Sequence, residues 1–264
     1  MTKLNILPVP TFGHLGVNFT ERENVIPETE SITVPDGKEQ QIIQYRTSDC
    51  STTVSVGKNA RLKLVQIFDG KCPCAAKLTT TLADSAALEL IQLYLGGDTV
   101  SEVVMELNGF KASFTADIGY DLGAGDSLDL NLISGHNGRK STSEISVNGV
   151  LRENAQKIFK GTIDFRKGAA GANGSEKEDV VLMSSEVTNK TVPVILCAEE
   201  DVDGSHGATI GRIDGQHIYY MQSRGIPEEK VYELITRAKL TRIIGKIGDE
   251  QAENRVYGAL GWGE

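Results

Sequence analysis

The sequence predicts a mainly β protein that ends in a short helical segment. Short runs rich in Val, Ile, Thr and Leu follow one another from about residue 31 to residue 196, divided by Gly, Asp or Asn. Many runs alternate apolar and polar residues, as at Leu128, Leu130 and Leu132, and a period of two turns one face of a strand toward a core. Beyond residue 226 the apolar spacing becomes helical. We therefore expect a β body followed by a small helical unit.

The β body is expected over residues 31–225, after an irregular lead-in over residues 1–30 that holds three of the seven prolines. Strands are predicted at 40–47, 51–57, 61–70, 88–97, 99–109, 110–119, 127–135, 144–149, 158–165, 179–185 and 191–197. A spacing of about ten residues is compatible with a sandwich, a barrel or a solenoid. No internal repeat is visible, although the scarcity of Asn-Gly hairpin turns slightly favours a coil that winds in one direction.

Residues 226–264 are predicted to form a helical subdomain. The first helix is expected over 227–240, with Pro227 at its first position and acidic residues in its first turn. Its predicted buried face consists of Val231, Leu234, Ile235 and Ala238. A second helix over 241–260 is weaker, because each of its two internal glycines before residue 250 costs about 1 kcal/mol relative to alanine.

Charge and composition exclude several classes of function. The chain has 27 basic and 36 acidic residues, a formal net charge of −9, which argues against binding nucleic acid or an anionic membrane surface. No secretory signal or membrane-spanning run is present, so we expect a cytoplasmic protein. Its cysteines are then expected to be reduced thiols, at Cys50, Cys72, Cys74 and Cys197.

Nucleotide binding by the chain itself is not expected. A phosphate-binding loop needs Gly-Lys followed by Ser or Thr, but Gly57-Lys58 is followed by Asn59 and Gly245-Lys246 by Ile247. Ser205-His206 lacks the glycine of a nucleophile elbow at position 203, which disfavours a serine hydrolase.

Two possible metal sites stay open. Cys72-Pro73-Cys74 could bind a soft metal if two more donors were near, or the thiols could be idle. The acidic run 199–204 resembles the start of a calcium loop, but a solvated turn explains it better because position twelve is Ile210. His206 lies among small residues, where the backbone can approach a partner closely.

The segment 193–226 closely resembles the signature of the SufB/SufD family, scaffold proteins of iron–sulfur cluster assembly. The match is almost complete over Ser205-His206-Gly207-Ala208-Thr209-Ile210-Gly211 and Ser223-Arg224-Gly225-Ile226. The looser match extends upstream through 159–165, Gly168-Ala169 and 180–185.

This resemblance implies a right-handed parallel β-helix that is not itself an enzyme. It implies that the C-terminal helices bind an ABC-type ATPase similar to SufC, and we expect Ser223, Arg224, Gly225 and Ile226 to contact that partner. It also implies that two scaffold subunits pair near Ser205, His206, Gly207, Ala208 and Thr209, where an iron–sulfur cluster is assembled transiently. His206 is then a metal ligand.

The sequence departs from the family pattern in two ways. Gly204 stands where the family has Cys, and glycine offers no ligand. Cys197 could replace that thiol if the chain folds back. We also expect a short form that lacks most of the family's N-terminal domain and pairs as a homodimer. Two alternatives stay open: a β-helix binding or structural module that has lost metal handling, and a β-helix hydrolase or lyase.

Overall fold

The structure, a computed structural model, is a parallel β-solenoid of about six turns with three helices near its C-terminus. It describes residues 2–11, 13–23, 28–70 and 72–262. Two seven-stranded parallel sheets form the walls of the solenoid, and the chain alternates between them. The predicted parallel β-helix with a small helical subdomain is thus confirmed.

We name the two sheets A and B. The strands of sheet A are β4 (Glu39–Arg46), β6 (Arg61–Phe68), β8 (Ala87–Leu95), β10 (Ser113–Leu122), β12 (Thr142–Leu151), β14 (Ala172–Leu182) and β16 (Val202–Arg212). The strands of sheet B are β3 (Glu28–Val34), β5 (Cys50–Val56), β7 (Cys74–Leu82), β9 (Asp98–Leu107), β11 (Ser127–His136), β13 (Gln156–Phe165) and β15 (Thr188–Cys197). Each turn of the solenoid contributes one strand to each sheet.

Alternation along the strands builds the core between the sheets. Leu64, Leu90 and Ile145 lie in one register column of sheet A, and each is almost fully buried. Burying an aliphatic side chain of this size contributes about 1.5–3 kcal/mol, so the repeated column is a major source of stability.

A left-handed residue at one corner marks each central turn of the coil. Asn59, Ser85, Lys111 and Lys140 have φ between 54° and 56°, and each donates its backbone N–H to a carbonyl of the following turn. The turn length nevertheless changes along the chain. Sheet A advances 26 residues from Leu62 to its register partner Leu88, but 30 residues from Gly174 to Gly204. This drift explains why no internal repeat is visible in the sequence.

The helices are α1 (Gly215–Ser223), α2 (Glu228–Ile244) and α3 (Glu250–Ala259). Leu240, Ile243 and Ile244 of α2 are buried in one cluster with outward-facing apolar residues of sheet A. The predicted buried face of α2 is therefore partly wrong: Val231 is buried, Ile235 is half-buried, and Leu234 and Ala238 are exposed. The apolar side chains in the C-terminal half of α2 are the buried ones, because the apolar outer surface of sheet A lies beneath that half of the helix. No helix in the described ranges is long and apolar enough to cross a membrane.

The N-terminal segment is more ordered than expected. The described residues up to 23 contain β1 (Thr2–Leu4), a 3-10 turn (Gly13–Leu15) and β2 (Thr20–Arg22), and β1 pairs antiparallel with β2. We call residues 2–23 the N-terminal strap. Within the described residues, the first solenoid strand begins at Glu28 and helix α1 begins at Gly215.

The strap is fixed to the outer face of sheet B by a buried polar network. Asn5 Nδ2 donates to the backbone oxygen of Asp129 at 2.7 Å, and Lys160 Nζ lies 2.8 Å from Asp129 Oδ1. Lys160 also donates to the backbone oxygen of Asn5 at 3.0 Å. These contacts order a stretch whose prolines suggested irregular structure.

Candidate functional site

Strand β16, which carries the Ser205–Thr209 segment, is the last strand of sheet A. It pairs with β14 along one edge, and no strand in the described ranges pairs with its other edge. All of its residues except Val202 are exposed. An exposed edge of eleven residues presents unpaired backbone N–H and C=O groups, which is the usual template for adding another strand.

His206 lies at the open end of a column that is buried everywhere below it. In the sheet register it stacks on Glu176, which stacks on Ile145 and then on Ala116. Those three residues are buried, whereas His206 is exposed. The end of the solenoid interior is therefore uncovered at His206, and the imidazole belongs to the face that a following turn would cover.

Gly204 occupies the same inward-facing side of β16, two residues before His206. A Cβ atom built at this position would lie 2.8 Å from Cε2 of Phe165. Real Cβ contacts are not that short, and the Phe165 ring is fully buried. The interior next to position 204 is thus packed for a residue that has no side chain. A cysteine at this position would be in close contact with the Phe165 ring.

A buried polar cluster lies inside the last turns of the solenoid. Lys157 Nζ donates to Glu178 Oε1 and to Thr191 Oγ1, the latter at 3.1 Å. Thr191 Oγ1 donates in turn to Glu178 Oε2 at 2.6 Å. Burial lowers the pKa of Lys157, although the nearby Glu178 carboxylate opposes this shift. The buried ion pair is stable because Lys157, Glu178 and Thr191 satisfy one another's hydrogen-bonding groups.

Glu176 is the unusual member of this region. Its side chain is buried above Gly161, where a Cβ would lie 1.8 Å from Oε2, and it makes no hydrogen bond within the part of the chain that the structure describes. Burial, reinforced by the neighbouring Glu178, raises the pKa of Glu176 to about 8. The carboxyl group directly beneath His206 is therefore largely protonated at neutral pH.

Cys197, the second expected metal ligand, is exposed at the end of β15. Its Sγ donates to the backbone oxygen of Glu199 at 3.0 Å. The residue of β15 nearest to Gly204 is Ile195, whose Cδ1 lies 3.5 Å from a Cβ built there. Among the described residues, no group of three or more His, Cys, Asp or Glu side chains forms a metal-sized site. His206 and Cys197 are thus both exposed, and neither belongs to such a group within the described residues.

The segment expected to contact an ATPase forms the turn between α1 and α2. Gly225 has φ 81° and donates its N–H to Gln222 O, while Ile226 donates to Met221 O. This pair of bonds is a Schellman motif, which ends a helix and needs glycine at the left-handed position. Ser223 Oγ donates to Tyr220 O at 2.7 Å, and the Arg224 guanidinium lies 5.1 Å from the centre of the Tyr220 ring.

Helix α1 beside this turn has no buried residue. Tyr219 is 74% exposed and Tyr220 is 53% exposed. Two adjacent exposed aromatic side chains are unusual on a free surface and common in interfaces. The exposed turn and the tyrosines together make a surface suited to a protein partner.

The sequence reasoning missed the buried polar cluster. Its signal was present as alternation, since Gly174, Glu176, Glu178 and Val180 stand two apart and share the inward face of β14. Because buried glutamates are rare, this alternation alone does not predict a buried acidic cluster. Their partners Lys157 and Thr191 are brought beside them by the winding of the coil.

The fold defines a class of protein: a parallel β-solenoid with an open edge strand at one end and helices packed on its side. Comparison with protein families identifies the SufBD core domain of the SUF system for FeS cluster assembly, which matches residues 20–239. The chain belongs to this family.

Curated relatives support the same assignment. The chain is 28% identical over 167 residues to the iron–sulfur cluster assembly protein SufD of Bacillus subtilis, covering 62% of this chain and 38% of the relative. It is 29% identical over 112 residues to SufD of Escherichia coli, covering 42% and 26%. A SufBD family protein of Mycobacterium leprae is 26% identical over 146 residues, covering 53% and 17%. The matches thus span well under half the length of these relatives.

Proposed function

We propose that this chain is a scaffold subunit of a SUF-type iron–sulfur cluster assembly complex in the cytoplasm and has no catalytic activity of its own. The observation that carries the proposal is the open end of the solenoid, where His206 sits exposed on an unpaired edge strand. Membership of the SufBD family supports the same reading.

The partner at this end is a second copy of the chain. Two edge strands that meet about a two-fold axis would satisfy each other's free backbone groups and bring both His206 side chains together. Ser205, Gly207, Ala208 and Thr209 would line this contact, because all four are exposed on β16. The pairing also completes a metal site that one copy leaves incomplete.

The nascent cluster is the cargo of this interface. A neutral imidazole is a good iron ligand, and a thiolate is a better one. Because Gly204 supplies no ligand, His206 of each copy and the exposed Cys197 are the groups available to hold iron or sulfide. Binding is transient, since few protein ligands converge and the site is open.

The second partner is an ABC-type ATPase similar to SufC, bound at α1 and at the turn formed by Ser223, Arg224, Gly225 and Ile226. The exposed tyrosines of α1 support this assignment. Two such ATPases, one on each scaffold copy, would approach each other on binding ATP. Their closure would favour one arrangement of the scaffold pair over another, and so expose or assemble the cluster site.

A second candidate function is a structural β-helix module that has lost metal handling. Gly204 favours it, because a Cβ built at this position would lie 2.8 Å from the Phe165 ring, so a thiol-bearing side chain would require that ring to move. In that case the chain would still pair and bind the ATPase, but it would hold no iron.

Anaerobic reconstitution with ferrous iron and sulfide separates the two candidates. The scaffold role predicts a coloured product with visible absorbance, and His206→Ala should reduce both colour and bound iron. His14→Ala is the matched control, because His14 is an exposed histidine of the N-terminal strap. A colourless, iron-free wild-type product would support the structural module instead.

The ATPase partnership is tested by co-expression with the cognate ABC ATPase. We expect the two proteins to co-purify and the ATPase rate to change. Tyr219→Ala together with Tyr220→Ala should weaken the association, whereas His14→Ala should not. Failure to co-purify together with an unchanged ATPase rate would contradict the partnership.

A further inference from the structure

The N-terminal strap is a hairpin that lies on the outer face of sheet B. Its two strands pair at Leu4 with Thr20, and the pairing continues where Leu7 N donates to Asn18 O at 2.9 Å. The chain therefore turns back on itself between these two segments, over residues 8–17.

This hairpin runs along the solenoid toward its open end. At its base, Arg22 pairs with Asp98 of β9 at 2.6 Å, in the middle of sheet B. At its turn, Lys190 of β15 donates to the backbone oxygen of Leu15 at 2.6 Å. Because β15 is the last strand of sheet B, the turn of the hairpin lies at the same end of the solenoid as β16.

The turn of the hairpin divides its apolar side chains between two faces. One set is buried in a cluster with a valine of β15: Leu7 and Val17. The other set is exposed: Pro8, Val9 and Leu15. Val9 is 47% exposed and Leu15 is 39% exposed. The buried set fixes the hairpin to the sheet, and the exposed set, which we call the apolar tip, is left uncovered in one copy of the described chain.

The pairing proposed for β16 brings two such tips together. Two edge strands that pair about a two-fold axis run antiparallel, so the axis is perpendicular to the plane of sheet A. Sheet B forms the opposite wall of the solenoid, so the same axis sets the end of sheet B opposite its own counterpart. Each apolar tip, on the outer face of sheet B at that end, then faces the tip of the partner copy.

The edge of β16 alone offers little apolar surface to such a pair. Residues 203–209 are Asp, Gly, Ser, His, Gly, Ala and Thr. A stable interface buries roughly 800 Å² on each partner, with an apolar centre. The apolar tip can supply part of this area without acidic repulsion, because residues 1–20 contain no Asp or Glu in a chain of net charge −9.

We propose that the apolar tip is a second contact between two copies of this chain, in which each tip packs against the tip of the partner while the β16 edges pair. The inference rests on the pairing in the proposed function and names the apolar part of that interface. The tip lies before residue 20, where the match to the SufBD core domain begins. The contact therefore belongs to the strap of this chain and lies outside the matched core.

The tip contact sets the register of the pair. A polar, glycine-rich strand specifies its pairing register weakly, and β16 contains Gly204, Gly207 and Gly211. A slip of the two edges would move one His206 away from the other. Because the tips lie on the other sheet, their packing holds the two solenoids in one alignment and keeps the histidines opposite each other.

Dissociation of the pair on dilution, measured by sedimentation velocity, tests the contact. Val9→Asp together with Leu15→Asp should raise the dissociation constant about tenfold or more, because carboxylates would be buried without partners. Phe110→Asp is the matched control and should keep the wild-type constant. Phe110 is 46% exposed, but it lies between β9 and β10, away from the open end.

Cross-linking tests the same contact without adding a charge. Leu15→Cys, treated with a short bismaleimide, should give a peptide that joins position 15 of two copies, whereas Phe110→Cys should give no equivalent product. Peptide mapping separates this product from those of the exposed Cys72 and Cys197.

The outcomes separate this inference from the proposed function on which it rests. If the wild type is a pair, an unchanged dissociation constant in the double variant, or the absence of the cross-link at position 15, overturns the tip contact and leaves the β16 pairing in place. A wild-type protein that stays a single chain at every concentration overturns both.

Discussion

At the scale of single residues, position 204 shows how packing and chemistry are linked at the open end. Gly204 faces the interior directly above the Phe165 ring, which also limits the space at Gly174. A side chain at 204 would require that ring to move. The close packing of Phe165 against position 204 is therefore a feature that the sequence alone does not reveal.

Substituting this glycine tests the steric account. Gly204→Cys should lower the free energy of unfolding by about 1–3 kcal/mol, the usual range for overpacking a core. Gly207→Cys is the matched control on the same strand, because a Cβ there meets no atom within 4 Å. Urea unfolding of both variants measures the difference. Equal free energies of unfolding for the two variants would show that the Phe165 ring moves aside without cost, and would contradict the steric account.

The buried carboxyl group of Glu176 should make stability depend on pH. Its folded-state pKa is about 8, against an ordinary value of 4.5, so the folded state holds a proton that the unfolded state releases above pH 4.5. Stability from this group is therefore fully present below about pH 4.5 and falls as the pH rises toward 8. Each pH unit in that window changes the free energy of unfolding by up to about 1.4 kcal/mol.

Glu176→Gln removes this dependence while keeping the shape of the side chain. We expect the variant to gain stability relative to the wild type between pH 6 and pH 8, in thermal melts followed by circular dichroism. Glu144→Gln, on the outer face of neighbouring β12, is the control and should track the wild type. If the difference in stability between Glu176→Gln and the wild type stays constant from pH 6 to pH 8, the raised pKa of Glu176 is contradicted.

At the scale of elements, β16 has one edge that pairs with no other strand in the described residues, and its side chains from Asp203 onward are exposed. If two copies pair about an axis near His206, position 209 of one copy faces Asp203 of the other. Thr209→Glu should then set like charges opposite each other across the strands and separate the dimer. Light scattering after gel filtration should give the mass of one chain for this variant.

Thr81→Glu is the control for the pairing test, since Thr81 is equally exposed but lies on β7, far from the open end. It should keep the mass of the wild type. If Thr209→Glu also keeps a mass of two chains, the interface lies elsewhere.

Helix α2 is attached to the solenoid by its C-terminal half. Ile243→Ala should lower the free energy of unfolding by about 2–5 kcal/mol, because Ile243 is buried against sheet A. Leu234→Ala should lower it clearly less, because Leu234 is 39% exposed whereas Ile243 is 2% exposed. Similar losses in both variants would mean that the helix packs through the face that the sequence predicted.

The elements that the sequence predicted well are those with local alternation. The strand predicted at 127–135 is Ser127–His136 in the structure, because its leucines alternate cleanly. Strand β7 was missed, since its threonines carry no apolar period, and α1 was missed because none of its residues is buried. The buried face of α2 depends on the sheet beneath it and cannot be obtained from helical spacing alone.

At the scale of the whole molecule, the solenoid converts sequence distance into proximity in a regular way. Residues 22 to 32 apart become neighbours along a sheet, which is how Glu176 comes to lie beneath His206, 30 residues further along the chain. The family signature could not show that the strand carrying His206 is an uncovered end of sheet A. Two charged pairs likewise join distant segments: Lys239 of α2 with Asp179, and Lys246, just beyond α2, with Asp117 at 2.6 Å.

The central claim is that two solenoids meet at their open ends and hold a nascent cluster between them, while an ATPase binds each helical end. Native mass spectrometry of the complex purified anaerobically with its cognate ABC ATPase reads the mass and the metal content together. We predict two copies of this chain, two ATPase subunits and bound iron that His206→Ala diminishes. A single copy of the chain, or a two-copy complex whose iron content is unchanged by His206→Ala, would contradict the account.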